Sequence, residues 1–194
     1  MTPIDALRAQ LETLKKLPIR ERMFEFAGLV TEYMSAFGIK PVVVGGLAVE
    51  LYTLNHYTTH DIDFISSGWE QFNKLLTDEL AFKRTAREWY HEELEIAIEI
   101  PSSDLEGSAE KVVEIELKSG RSIFVIAVED IIIHRLESVL VSNVQFPEDH
   151  EDYQWAYRMF LLHRDDLIDR EYLKQESLKT KTNKWIQDWI KTEV

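Results

Sequence analysis

The sequence predicts an α+β (α/β) chain: a small mixed sheet flanked by helices, with two helices before it and a helical tail after it. Three observations lead there. Residues 1–40 repeat apolar side chains at helical spacing. Residues 42–65 and 94–126 hold short β-branched or alternating runs. From Glu129 onward the spacing is helical again. Strands interleaved with helices in the middle and helices alone at both ends favour a layered α and β core over a bundle or a sandwich.

The elements follow in order. Thr2-Pro3 is a helix start, a capping hydroxyl before a first-turn proline, and Ile4, Leu7, Leu11 and Leu14 recur behind it. Pro18 separates this helix from a second, carried by Met23, Phe24, Ala27, Val30, Met34 and Phe37, with Gly38 placed to stop it. Val42-Val43-Val44 reads as a buried strand ending at Gly45-Gly46, and Leu47 to Leu54 as a short helix. Asp61-Ile62-Asp63-Phe64-Ile65 alternates as a second strand, and Trp69 to Leu80 is helical. Leu94, Ile96, Ile98 and Ile100 alternate with Glu93, Glu95, Ala97 and Glu99, a strand with one apolar and one mostly acidic face closed by Pro101. Val112–Leu117 and Ser122–Ile126 around Ser119-Gly120 read as a hairpin. Helices follow at Asp130–Val141, Asp149–Leu162, Arg164 to about Leu178, and a last segment with Trp185, Ile186, Trp189 and Ile190. Phe146-Pro147 is the one seam, so residues 1–145 are read as the main domain and 146–194 as a helical extension packed on it.

Composition narrows the chemistry. The chain has 35 acidic and 22 basic residues, a net charge of −13, which repels bare nucleic acid unless cations cluster locally. It has no cysteine, which excludes disulfides, thiolate metal sites and cysteine nucleophiles. Met1–Gln10 contains Asp5 and Arg8 and no long apolar run, so a signal peptide or membrane anchor is not expected. No stretch approaches the roughly 20 apolar residues of a membrane span. A cytoplasmic protein is expected.

Residues 42–64 carry the chemistry. A strand running into Gly45-Gly46 and then a helix lets backbone approach a ligand closely and offers free N–H groups to phosphate. Asp61 and Asp63, two apart on a strand, project from one face. Adjacent carboxylates repel unless a cation lies between them, and Mg²⁺ typically joins one or two carboxylates to phosphate oxygens. An acidic strand end and a tight turn are the plainer readings of these features taken singly. His91, His134, His150 and His163 show no HxxxH spacing, and GxGxxG, a Walker-type lysine loop and GxSxG are all absent. The Trp185, Ile186, Trp189, Ile190 stripe reads first as a packed helix and second as a partner-binding one. Glu148, Asp149, Glu151 and Asp152 read as a solvated helix start.

Taken together, Gly45-Gly46, the following helix, Asp61-Ile62-Asp63 and a later acidic strand resemble the nucleotidyltransferase superfamily, the fold shared with DNA polymerase β and aminoglycoside nucleotidyltransferases. The stretch Val44–Tyr52, then Tyr57-Thr58-Thr59-His60-Asp61-Ile62-Asp63, is similar to small bacterial minimal nucleotidyltransferases, relatives of the AbiEii toxins; Ile98–Pro101 and Val128–Leu136 extend the likeness loosely. The resemblance implies an Asp-x-Asp strand plus a third carboxylate holding Mg²⁺ or Mn²⁺, with a nucleoside triphosphate such as ATP as donor. The third carboxylate falls among Glu93, Glu95 and Glu99; Glu99 is chosen because it stands just before the strand ends, and Glu95 is the fallback. Asp61, Asp63 and Glu99 are thus the expected catalytic and metal-binding residues, and Gly45, Gly46 and Thr59 the expected nucleotide contacts. The resemblance further implies transfer to an acceptor hydroxyl, a small molecule or protein rather than RNA, and a toxin–antitoxin or phage-defence setting with an antitoxin-like partner. One departure stands out: His56 occupies the position where relatives often carry an arginine. A histidine is mostly neutral near pH 7 and cannot replace a permanent cation at a triphosphate.

Overall fold

The computed structural model describes residues 3–54 and 56–192; Thr2, expected to cap the first helix, and the side chain of Ile4 lie outside what it describes. Helices α1 (Pro3–Leu14) and α2 (Ile19–Ser35) come first, with Pro18 as the cap between them. In the apolar stripe of α2, Met23, Ala27, Val30 and Met34 are buried and Phe24 is half-buried, while Phe26, which the stripe did not include, is completely buried. Phe37 falls beyond the helix end and is exposed, while Gly38, at φ +71°, makes the turn into β1 (Val42–Val44). Helix α3 (Gly45–Tyr52) starts at the glycine pair itself, earlier than its apolar pattern suggests.

β2 (Asp61–Ile65) lies antiparallel to β1, with Val44 opposite Asp63. α4 (Trp69–Asn73) continues into a π-helical turn at Lys74–Glu79, so the expected helix to Leu80 is present with a wider second half. A hairpin of β3 (Lys83–Arg84) and β4 (Glu88–His91) follows, which the sequence reading left out. β5 (Ile96–Ser102) runs parallel to β2. β6 (Val113–Glu116) and β7 (Ser122–Val125) form the expected antiparallel hairpin, and β7 joins β1 in parallel. The result is one seven-stranded mixed sheet in the order β3-β4-β5-β2-β1-β7-β6. Its central strands are short and apolar on one face, where Ile62, Phe64, Ile96 and Ile98 are completely buried beneath α2 residues and Phe72, Leu75 and Leu76. Phe64 meets Phe72 at 5.4 Å between ring centres, and Phe26 meets Phe82 at 5.4 Å.

The acidic strand differs from expectation at both ends. Leu94 and Glu95 belong to a turn before β5, with Glu95 in the left-handed region at φ +53°. Arg22, nearly buried, fixes that turn: its guanidinium donates to the carbonyls of Leu94 at 2.7 Å and Leu17 at 2.9 Å and pairs with Glu95 at 3.4 Å. Glu95 therefore does not share a strand face with Glu99. Glu93 is spent on an ion pair with Lys15. At the other end Pro101 lies inside β5 rather than closing it; β4 begins opposite Glu99, so no neighbour on that side needs the missing N–H.

Helix α5 (Val128–Ser142) packs against α6 (Glu151–His163) and α7 (Arg170–Thr180), and α7 against α8 (Asn183–Lys191). Residues 164–167 form a turn and 168–169 a short link, so α7 starts later than expected, capped by the Asp169 carboxylate, which accepts from the N–H groups of Glu171 and Tyr172 at 3.1 Å each. The α8 stripe turns inward: Ile186 is fully buried, Trp189 is 5% exposed, and the Trp189 ring lies 5.0 Å from that of Tyr157 and 5.4 Å from that of Phe160. His163 on α6 bonds the Tyr52 carbonyl at 2.7 Å, and the Tyr52 hydroxyl donates to Ile126 O at 2.7 Å, tying the tail to α3 and the sheet. No helix among the described residues is long and apolar enough to cross a membrane.

Candidate active site

Alternation in β2 buries Ile62 and Phe64 and leaves Asp61 and Asp63 on the opposite, half-exposed face. Parallel pairing then sets Asp63 beside Glu99 and Asp61 beside Ala97, so Glu99 shares that face. The three carboxylates are electrostatic neighbours: burial first, then the charges of Asp61 and Glu99, push the Asp63 carboxyl up to about 6 from an ordinary 3.8. Two groups act in the opposite sense, the Gly46 backbone N–H and the more distant Arg135 guanidinium.

The glycine pair is required by this arrangement. Gly45 sits at φ +60°, and a Cβ there would overlap the Asp63 carboxylate, falling 2.8 Å from its Cγ. A Cβ on Gly46 would fall 2.8 Å from Thr59 Cβ. The start of α3 thus lies directly against β2 and the loop before it. Thr59, buried, donates its hydroxyl to Asp61 Oδ1. Its backbone N–H in turn meets Glu50 on α3, a buried carboxylate that burial pushes above its usual range and that has Arg20 as its cation at 4.0 Å. Glu50 therefore anchors the loop that aims Asp61.

A cleft of about 430 Å³ opens on this face, lined by Gly45, Asp63, Asp104, Glu106, His134 and Arg135 among others. Its outer wall is the loop after β5, which is pinned to α5. Asp130 accepts from the Ser108 N–H at 3.0 Å and from the Tyr172 hydroxyl at 2.7 Å, and Gly107, at φ +144°, passes so close that a Cβ would strike that carboxylate. Glu99 lines an adjoining cavity instead, and Asp61 lines neither. The sheet brings the expected carboxylates side by side on one face, but they do not all open into one cleft.

Arg135 is the residue the sequence reading passed over as a functional group. It projects from α5 into the cleft, pairs with Asp152 at 2.7 Å, and lies 5.4 Å from the Tyr57 ring centre. Asp152 is thus more than the solvated helix start it was read as. A lone arginine among Ile131, Ile132, Ile133 and Leu136 on an apolar helix was the available signal, because a cation there is retained only with a partner. It places a permanent cation on the site that His56 does not provide; His56 is exposed.

The donor set suits a hard divalent cation: oxygens only, three neighbouring acids, and a glycine notch that leaves the Asp63 carboxylate uncovered. Among the described residues no three such side chains stand converged as a ready-made cage. In the free chain the carboxylates repel, and Asp63 relieves this by holding its proton up to about pH 6.

A glycine turn facing an Asp-x-Asp strand on a mixed sheet is the arrangement that the resemblance to nucleotidyltransferases implies. Residues 24–153, more than half of the sequence, match the model of a family described as a nucleotidyl transferase of unknown function (DUF2204), and the chain belongs to that family. Membership supports nucleotidyltransferase activity. Among solved structures, an antigenic nucleotidyltransferase-like protein from Paracoccidioides brasiliensis shares the fold at TM-score 0.54 and 12% identity, over 84% of this chain and 90% of that one. The antibiotic-resistance factor ANT(2'')-Ia aligns at TM-score 0.43 and 17% identity, over 73% of this chain and 88% of that one. No curated protein matches the chain in sequence.

Proposed function

We propose that the protein transfers a nucleoside monophosphate from a nucleoside triphosphate to an acceptor hydroxyl, in a reaction that needs Mg²⁺ or Mn²⁺. The observation that carries this reading is the pairing of Asp63 with Glu99 beside Asp61, on a strand pressed against the glycine start of α3. The triphosphate lies in the cleft with its oxygens toward the Gly45 backbone and the Arg135 guanidinium, among the described lining residues the one group that stays cationic at any physiological pH. Asp61 and Asp63 hold the divalent ion, with Glu99 beside them. Bound there, such an ion neutralises the phosphate charge and steadies the departing pyrophosphate.

The chain's own contribution is positioning and proton transfer. Thr59 keeps Asp61 oriented through its hydroxyl. Glu99 accepts the proton of the acceptor hydroxyl as general base. The acceptor oxygen bonds to the α-phosphorus in line with the breaking bond to pyrophosphate, and the products are the nucleotidylated acceptor and pyrophosphate.

Thermal unfolding with ATP, GTP, CTP or UTP, each with and without Mg²⁺ or Mn²⁺, tests the reading. A ligand bound only by the folded chain at ~100 times its dissociation constant adds about 2.7 kcal/mol. A metal-dependent shift with at least one nucleotide, lost in Asp61→Ala/Asp63→Ala, supports the site. The same behaviour in both proteins rejects it.

A further inference from the structure

Helix α5 lines the cleft with Ile131, His134, Arg135 and Ser138, one stripe at helical spacing, and it packs against α6. Arg135 reaches α6 from that stripe. Its Nη1 donates to Asp152 Oδ1 at 2.7 Å, and the two side chains are mostly buried, at 19% and 20% exposure. The guanidinium also lies over the Tyr57 ring at 5.4 Å. That ring borders the start of α3 as well, since a Cβ on Gly46 would come within 3.4 Å of Tyr57 Cε1. Trp155 meets Tyr57 edge-on, at 5.2 Å between ring centres and 89° between planes. Asp152 and Trp155 are neighbours along α6, and both are fixed at its first turns. The Asp152 backbone N–H donates to His150 Nδ1 at 3.1 Å, and Trp155 Nε1 donates to Glu151 Oε1 at 3.1 Å.

We propose that Asp152 and Trp155 are positioning residues, which from α6 set the Arg135 guanidinium to receive the triphosphate and make the C-terminal extension a part of the nucleotide site. This rests on the nucleotidyl-transfer reading, in which Arg135 meets phosphate oxygens. An arginine side chain has many rotamers, and ordering it only when the ligand arrives would cost affinity. Here the ordering is complete in the folded chain, because a guanidinium this far from solvent needs a carboxylate partner. Asp152 engages one terminal nitrogen, and the planar group keeps further N–H donors for phosphate. Tyr57, seated by Trp155, touches both the guanidinium and the start of α3, so it fixes the spacing between the cation and that backbone. The Phe146-Pro147 seam, where the sequence divides main domain from extension, is then no boundary in function. A plain clamp between α5 and α6 would instead leave nucleotide affinity untouched in any variant that still folds.

Calorimetric titration separates the two roles. The probes are a non-hydrolysable ATP analogue with Mn²⁺, and AMP with Mn²⁺ as the ligand without the outer phosphates. Each is added to the full chain and to Asp152→Asn, Asp152→Glu, Trp155→Leu, Arg135→Gln and Asp152→Asn/Arg135→Gln, with circular dichroism checking that each is folded at the titration temperature. The proposal expects the analogue to bind roughly tenfold more weakly to Asp152→Asn while AMP is little changed. Asp152→Glu, which restores the carboxylate, recovers most of that loss, and Trp155→Leu loses affinity in the same sense. The double variant decides: a residue that acts through Arg135 adds no further loss once Arg135 is gone, so the double variant binds the analogue as Arg135→Gln does. Should Asp152→Asn fail to fold, Trp155→Leu with and without Arg135→Gln makes the same comparison. Unchanged or tighter analogue binding in Asp152→Asn, equal losses for the analogue and AMP, or losses that multiply in the double variant overturn the proposal. Failure of the natural chain to bind the analogue at all is a different result, and refutes the nucleotidyl-transfer reading together with the proposal.

Discussion

Replacing Asp63 by asparagine should make the metal-free protein more stable at neutral pH while removing its response to metal and nucleotide. Asp63 titrates near 6 in the folded chain, raised by burial and by Asp61 and Glu99, against an ordinary 3.8. A carboxyl raised on folding contributes no instability below about pH 4, where folded and unfolded chains both hold the proton. Between about 4 and 6 the unfolded chain ionises first and stability falls. Above 6 the full penalty is present. The difference of about 2 pH units corresponds to roughly 3 kcal/mol, at ~1.4 kcal/mol per unit. Asparagine keeps the volume and the acceptor for the Gly46 N–H and lacks the charge, so up to about 3 kcal/mol should be regained at pH 7–8 and almost none at pH 4. Urea unfolding of both proteins from pH 4 to pH 8 measures this directly. Equal stability at pH 7.5, or a less stable asparagine variant at that pH, would refute the claim that three carboxylates crowd one another on this face.

Other substitutions probe the supporting parts. Gly45→Ala combines a left-handed backbone with an overlap onto Asp63, so a loss of about 1–3 kcal/mol in thermal unfolding is expected, along with loss of any nucleotide response. Arg135→Gln removes the cleft's permanent cation and leaves Asp152 without its 2.7 Å partner; calorimetry should show triphosphate affinity reduced about tenfold, and unchanged affinity would remove Arg135 from the site. Trp189→Ala deletes a buried ring and its 2.9 Å donation to the Tyr153 hydroxyl, and should cost about 3–5 kcal/mol by denaturant titration while sparing nucleotide binding in the folded fraction.

Much of the candidate site's geometry was legible because its residues follow local rules. Asp61 and Asp63 are two apart on a strand whose apolar partners Ile62 and Phe64 dictate which face they take. The glycine pair precedes α3 because both a positive φ and close contact with β2 demand it. What the sequence did not disclose depends on pairings distant along the chain. The β3–β4 hairpin is polar in sequence, since Lys83, Arg84, Arg87 and Glu88 show no alternation and Trp89 is its one fully buried anchor; it exists because β5 offers an edge. Glu95 looked equivalent to Glu99 on periodicity, yet a turn held by Arg22, 73 residues away, removes it from the strand. Arg135 stands out locally as a lone arginine on an apolar helix, but that it lines the cleft depends on how α5 packs, which is not local. The division of the acids between two adjoining cavities is likewise a property of the assembled walls.

The central claim is that Asp61 and Asp63, with Glu99 beside them, bind a divalent ion together with a nucleoside triphosphate. Electron paramagnetic resonance of Mn²⁺ tests it most directly, titrating the metal into the full chain with and without a non-hydrolysable ATP analogue, and repeating the titration for Asp61→Asn/Asp63→Asn. Saturable Mn²⁺ binding that strengthens with the nucleotide and vanishes in the double variant is the predicted result. Mn²⁺ binding that is absent, or identical in the two proteins with nucleotide present, would contradict it.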